Sequence, residues 1–220
     1  MSINPVFDDY FFHIKQGNKK ECFNTIKKAV KEGIGIKDIY LEVFYPAMTK
    51  VGELWEANKF TVAQEHLATA ITQRMMSYLY SNHFNFSIEH YKAKIIITCA
   101  GSELHELGAR MTADLLELEG YDVIYLGANT PVFTILKTIS SEKPDFIGIS
   151  CTMSFNIKYT KELVEKIQKA NEDIKVIVGG RAYSIDNSLI EYVKADFYGD
   201  ILDNTLKFLE ENKKDLVNNE

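Results

Sequence analysis

Beyond Lys92 the chain repeats a short β-branched run, a polar turn and an amphipathic stretch. The runs are IIITCA from Ile95, DVIYLG from Asp122, FIGIS from Phe146 and IKVIVGG from Ile174. A weaker fifth run, ADFYGD, precedes a last amphipathic stretch from about Leu202. Runs this short and this apolar suit strands buried on both faces. Crossover helices between them force those strands into a parallel sheet. The predicted fold of this half is a five-stranded, Rossmann-like (flavodoxin-like) α/β/α domain over 92–220. In such a sheet a ligand settles outside the carboxyl ends of the strands.

The first part of the chain follows helical periodicity instead. Helices are expected from Asp8 to Gln16, from Lys19 to Glu32, from Ile36 to about Trp55, and onward from Thr61. In the second, Cys22, Ile26, Ala29 and Val30 share a face. In the third, Ile39, Val43, Ala47, Val51 and Leu54 do, and Pro46 demands a kink or break. Thr61-Val62-Ala63-Gln64 is a capping box that opens the fourth. Four helices with short connections predict a four-helix bundle over 1–88, so the fold class is α/β plus all-α. The lapse in periodicity between Asn82 and Lys92 reads as a linker.

Charge and cysteine usage narrow the function. The net charge is −6 and no Lys/Arg run stands out, which argues against direct nucleic-acid binding. Cys22, Cys99 and Cys151 are odd in number and scattered, unlike a disulfide framework or a zinc site. The N-terminal residues lack a signal-peptide pattern, and no apolar stretch approaches the roughly 20 residues of a membrane span. A cytoplasmic protein is expected.

The chemistry-bearing residues fall at the predicted strand ends. After the first strand comes Gly101-Ser102-Glu103-Leu104-His105-Glu106-Leu107-Gly108. An imidazole there can project into the ligand crevice, and the carboxylate two residues earlier can hold its other nitrogen and fix the tautomer. Gly108 lets the following helix start close to a bulky partner. Ser150-Cys151-Thr152 ends the third strand, with 41 residues between Gly108 and Ser150, and Gly179-Gly180 ends the fourth, with 26 between Thr152 and Gly179.

This arrangement resembles the cobalamin-binding domain family, whose D-x-H-x-x-G, S-x-L and G-G elements follow one another at closely similar separations. The resemblance covers roughly 92–210. It implies that His105 displaces the dimethylbenzimidazole base as the lower axial ligand of cobalt, with Glu103 behind it. Ser150 and Thr152 would line the slot for the displaced nucleotide tail, and Gly179 and Gly180 would keep that slot open. Glu103 stands where the family has Asp, so a carboxylate one methylene longer must bend back to the ring. Thr152 stands where it has Leu.

In the helical part, nine residues separate Trp55 from Glu65-His66. W-x9-E-H is similar to the motif of the light-sensing cobalamin regulators, as are Val51 to Leu54, Leu126-Gly127 and Thr130-Pro131. The resemblance implies a bundle over the upper corrin face, with Trp55 against a 5′-deoxyadenosyl group, Glu65 hydrogen-bonded to it, Val62 as an apolar wall and His66 in support. Some members carry histidine after the tryptophan; here it is Glu56, so a light-adapted state would use another histidine, with His66, His83 and His90 as candidates, a water, or no protein upper ligand. Those regulators begin with a winged-helix DNA-binding domain, whereas this sequence opens almost directly on the bundle.

The expected function is an adenosylcobalamin photosensor that signals through a protein partner or self-association, with no catalytic residues of its own. The alternatives are a corrinoid methyl carrier in a methyltransferase system, using methylcobalamin, and a cobalamin storage or delivery protein.

Overall fold

The computed structural model describes residues 3–84, 90–171 and 173–213. The chain divides into two compact units, Met1–Asn85 and Phe86–Glu220. The boundary expected at 88, most of the expected linker and the last residues of the second domain lie outside the described residues.

The first unit is helical. Helix α1 spans Ile3–Lys15 and α2 spans Lys19–Lys31. A short α3, Ile36–Asp38, continues through a π-helical stretch, Ile39–Phe44, into α4, Tyr45–Glu56, and α5 spans Val62–His83. Helix α1 begins five residues before the expected Asp8. Val6, Tyr10 and Ile14 recur every fourth residue and are all buried, and Pro5 lies in the first turn, where no intrahelical donor is needed. The disturbance expected at Pro46 takes the form of the π-helical stretch, with the Tyr45 amide reaching back five residues to the Tyr40 carbonyl. Proline has no N–H to donate and its ring would collide with a carbonyl four residues back, so a widened turn before it relieves both problems.

Ala68, Ile71, Thr72, Met75, Met76 and Leu79 form the buried stripe of α5, at spacings of three and four. The hydroxyls of Tyr10 and Thr72 meet at 3.0 Å inside the helical core, satisfying two buried polar groups at once.

The second unit is a five-stranded, all-parallel sheet in the order β2-β1-β3-β4-β5. Its strands are β1 (Lys94–Cys99), β2 (Asp122–Gly127), β3 (Phe146–Ser150), β4 (Lys175–Gly179) and β5 (Phe197–Gly199). The helices between and after them are α6 (Leu107–Leu118), α7 (Val132–Glu142), α8 (Ile157–Ala170), α9 (Arg181–Ile185), α10 (Ser188–Val193) and α11 (Leu202–Asn212).

Alternate residues of each strand feed different cores. Ile95, Ile97, Cys99 and Ile177 pack with Ala109, Ala113 and Leu116 of α6 and Leu209 of α11. Ile96, Ile147, Ile149, Val176 and Val178 face the other way, onto Ile135 and Ile139 of α7 and Leu163, Val164 and Ile167 of α8. That alternation explains why the strands are apolar on both faces. The single helix expected after β4 is two short ones, because Asp186 folds the chain between them by accepting from the Ser188 amide and hydroxyl at 3.0 and 2.6 Å. No helix among the described residues is long and apolar enough to cross a membrane.

Candidate functional site

The ladder brings the three sequence elements side by side. Cys99 pairs with Ser150, Ser150 with Gly179, and Gly179 with Gly199, so the segments after β1, β3 and β4 leave adjacent strand ends. The β1 segment turns at Gly101, whose φ of +53° suits glycine and whose missing Cβ would lie 2.7 Å from that of Tyr159.

The turn delivers Glu103 into the interior, only 1% exposed. Its Oε1 accepts from the His105 backbone N–H at 3.1 Å and faces His105 Nδ1 at 2.6 Å. Its Oε2 accepts from the backbone N–H groups of Thr152 and Met153, at 3.1 and 2.9 Å, and from Asn156 Nδ2 at 3.1 Å. Burial pushes the carboxyl up, but the bonds from His105, Met153 and Asn156 outweigh it and hold Glu103 at about 2. The group is therefore a carboxylate at any physiological pH. The longer side chain does bend back to the imidazole, and its second oxygen gathers the β3 segment.

An ionised Glu103 can only accept, so Nδ1 carries the proton and the lone pair lies on Nε2, the nitrogen able to bind a metal. The His105 side chain is 45% exposed. Gly108, the second residue of α6, is exposed as well, and a Cβ there would meet nothing within 4 Å. Gly179 and Gly180 have local reasons to be glycine. A Cβ on Gly179 would press the Gly199 carbonyl at 3.1 Å, while Gly180 has φ +110° and its Cβ would overlap the Cys151 backbone. Thr152 joins the cluster through its amide, and Ser150 through its carbonyl, which accepts from the Ala100 N–H at 3.0 Å.

Asn156 escapes a sequence reading. It is buried and at once donates to Glu103 and accepts from the Ser102 hydroxyl at 3.4 Å. As sequence it is an ordinary residue just before a helix, and only the fold shows that its side chain does not cap α8.

The other nucleophilic groups nearby are silent. Burial pushes the Cys99 and Cys151 thiols up to about 12 and about 11, so both stay protonated at neutral pH. Among the described residues no group of three or more His, Cys, Asp or Glu is placed to cage a metal. A single oriented imidazole, His105, would suffice to hold a metal that arrives with ligands of its own, as the cobalt of a corrinoid does.

In the helical unit, Trp55 closes α4 and is partly buried. The chain then folds tightly, the amides of Lys59 and Phe60 both returning to the Leu54 carbonyl at 2.8 and 3.0 Å. Thr61 restarts the helix with both capping-box bonds present. Glu65 lies in the first turn of α5, where its carboxylate suits the helix dipole, accepts from Thr69 Oγ1 at 2.8 Å and lies 3.6 Å from His66 Nε2. Val62 and His66 are exposed at the same corner. The separation of Trp55 from Glu65 is thus one helix end, one tight turn and one capped helix start.

The chain is similar to several proteins of known name or structure. The chain is 30% identical over 143 residues to the HTH-type transcriptional repressor CarH of Myxococcus xanthus, covering 64% of this chain and 46% of the repressor, so it spans less than half of that relative's length. It is 22% identical over 202 residues to monomethylamine corrinoid protein 1 of Methanosarcina acetivorans, covering 89% of this chain and 92% of that one. Its fold is similar to that of the Methanosarcina barkeri monomethylamine corrinoid protein, with a TM-score of 0.83 at 19% identity over 96% of this chain and 99% of the other. Two families, each described as a B12 binding domain, match residues 93–203 and residues 6–80. The chain belongs to the B12-binding domain family and is a cobalamin-binding protein.

Proposed function

We propose that the protein is an adenosylcobalamin-binding regulator that responds to light. The observation that carries this reading is the corner formed by Trp55, the tight turn and the capped start of α5 with Glu65 and His66. A methyl group needs no such set of residues, whereas an adenosyl group offers an aromatic base and hydroxyls that an indole and a carboxylate can meet.

Adenosylcobalamin supplies a cobalt–carbon bond that visible light breaks. His105 would hold the cobalt, with Glu103 fixing its tautomer and Asn156 steadying Glu103. Gly108 would leave room at the start of α6, while Ser150, Thr152, Gly179 and Gly180 would accommodate the nucleotide tail. Trp55 and Val62 would offer apolar surface to the adenosyl group and Glu65 an acceptor. Loss of that group would remove the partner of this corner, biasing a two-state element toward or away from a protein partner or a second copy.

The test is an absorption spectrum of the protein reconstituted with adenosylcobalamin in darkness and after green light, with size-exclusion traces of both. A His-ligated spectrum that converts to an aquo- or hydroxo-type form with changed elution supports the reading. Photolysis with no change in assembly, shape or partner affinity overturns it.

A second reading, a corrinoid methyl carrier, is favoured by the similarity in sequence and fold to the monomethylamine corrinoid proteins. In that case methylcobalamin would be retained selectively and would lose its methyl group to a thiol acceptor in the presence of a methyltransferase. The protein would then supply positioning and electrostatics to the cobalt.

A further inference from the structure

Glu106, the residue after the imidazole, is held as firmly as Glu103, two residues before it. Glu106 is the N-cap of α6, yet its side chain makes no cap bond to that helix. Its carboxylate instead crosses to the end of β2, where Oε2 accepts from the Ala128 N–H at 3.0 Å and from the Tyr125 hydroxyl at 3.2 Å. The same hydroxyl lies 3.3 Å from the Glu106 carbonyl. Burial and the nearby Glu106 charge push the Tyr125 phenol up, so it remains a donor.

The end of β2 is shaped to receive this carboxylate. The β1–β2 register slips between Ile97/Tyr125 and Thr98/Gly127, leaving Leu126 as the extra residue of a bulge. Gly127 follows with φ +71°, and a Cβ on it would lie 2.9 Å from Glu106 Oε2. Only glycine both adopts that backbone conformation and leaves the seat open. His105 thus sits between two anchors in opposite directions: Glu103 on the segment after β3, and Glu106 on the segment after β2.

We propose that Glu106 is a second positioning residue for His105, seated on Ala128 and Tyr125, and that it sets how well the imidazole presents itself to cobalt. The inference rests on the cobalamin reading. It also ties the β2 segment to the lower ligand, so a displacement of Ala128 is transmitted to His105 through one side chain.

The experiment compares the wild type with Glu106→Ala, Glu106→Gln and Tyr125→Phe. Hydrogen exchange of the Ala128 amide is read in the cobalamin-free proteins, and cobalamin affinity and the His-ligated fraction by absorption. In Glu106→Ala the Ala128 amide exchanges faster, affinity weakens by roughly tenfold, the lower end for an outer partner of a ligating histidine, and the spectrum moves toward the His-off form. Glu106→Gln keeps an oxygen for Ala128 and restores most of both readouts, and Tyr125→Phe falls between. An unprotected Ala128 in Glu106→Ala with wild-type affinity and a wild-type spectrum overturns the proposal, leaving Glu106 a purely structural brace. Wild-type protein that retains no cobalamin removes the cobalamin reading and this proposal with it.

Discussion

Glu103 Oε1 lies 2.6 Å from His105 Nδ1, while Oε2 of the same carboxylate takes three donors from Thr152, Met153 and Asn156. One buried side chain therefore orients the imidazole and joins the segments after β1 and β3. Orientation of the ligand and stability of the strand ends are the same interaction, so they should be lost together.

Glu103→Gln separates charge from shape. The amide brings an NH2 into a place where every neighbour is a donor, leaving buried N–H groups without an acceptor. The folded carboxyl sits at about 2, below its unfolded value of 4.5. A depressed pKa contributes stability that is present above the unfolded value and is lost as pH falls through the folded one. The contribution is on the order of 3 kcal/mol. Urea unfolding should show wild type more stable than the variant by about that amount at pH 7, with the gap closing between pH 4.5 and 2. A pH-independent gap would mean that the charge does not matter.

Asn156 is the neutral donor of the cluster, and its replacement distinguishes hydrogen bonding from electrostatics. Asn156→Ala removes the bonds to Glu103 and Ser102 and should cost about 1.5–3 kcal/mol, as for bonds to a charged group. Asn156→Asp keeps the shape. A protonated Asp can still donate to Glu103, whereas an ionised one sets two buried carboxylates together. Its folded pKa is raised, so its destabilisation should grow as pH rises from 5 to 7.5. Denaturation midpoints of both variants across that range check this; a constant deficit for Asn156→Asp would refute it.

What was legible in the sequence was whatever depends on near neighbours. The β-branched runs at Asp122 and Phe146 coincide with β2 and β3 because strands buried on both faces admit little else. The Thr61–Gln64 box and the contact of Glu103 with His105 are equally local. Asn156 was illegible because it acts across 53 positions on a side chain whose partners come from a different strand end. The seat of Glu106 was illegible for the same reason, since it needs a bulge that no single residue announces. Pro46 announced a disturbance but not its form: the π-helical turn depends on keeping Tyr40 and Phe44 buried beside Tyr10.

Two lysines occupy left-handed positions that glycine fits better. Lys143 and Lys194 end α7 and α10 with φ of 49° and 59°, and both are exposed. A side chain there meets the steric cost of the left-handed region, which glycine avoids at a helix end. Lys143→Gly and Lys194→Gly should each raise stability by about 0.5–1 kcal/mol. Thermal unfolding tests both, singly and together, and the two effects should add because the helix ends are separate.

Gly108 and Gly180 make opposite predictions from the same substitution. At Gly180 an added Cβ faces the Cys151 backbone at a φ of +110°, so Gly180→Ala should destabilise the cobalamin-free protein by about 2–3 kcal/mol. At Gly108 the Cβ meets nothing within 4 Å, and the residue is helical. Alanine is the better helix former there, so Gly108→Ala should leave the cobalamin-free protein unchanged or up to about 1 kcal/mol more stable. Folding alone gives no reason for glycine at this place. If its purpose is to let a bulky ligand approach the start of α6 beside His105, the same variant should bind cobalamin more weakly while melting no lower. Thermal unfolding without ligand and a cobalamin titration of the same preparation decide the matter. Unchanged affinity would mean that the space above Gly108 is not used by the ligand, whereas weaker binding with intact stability would assign that space to it.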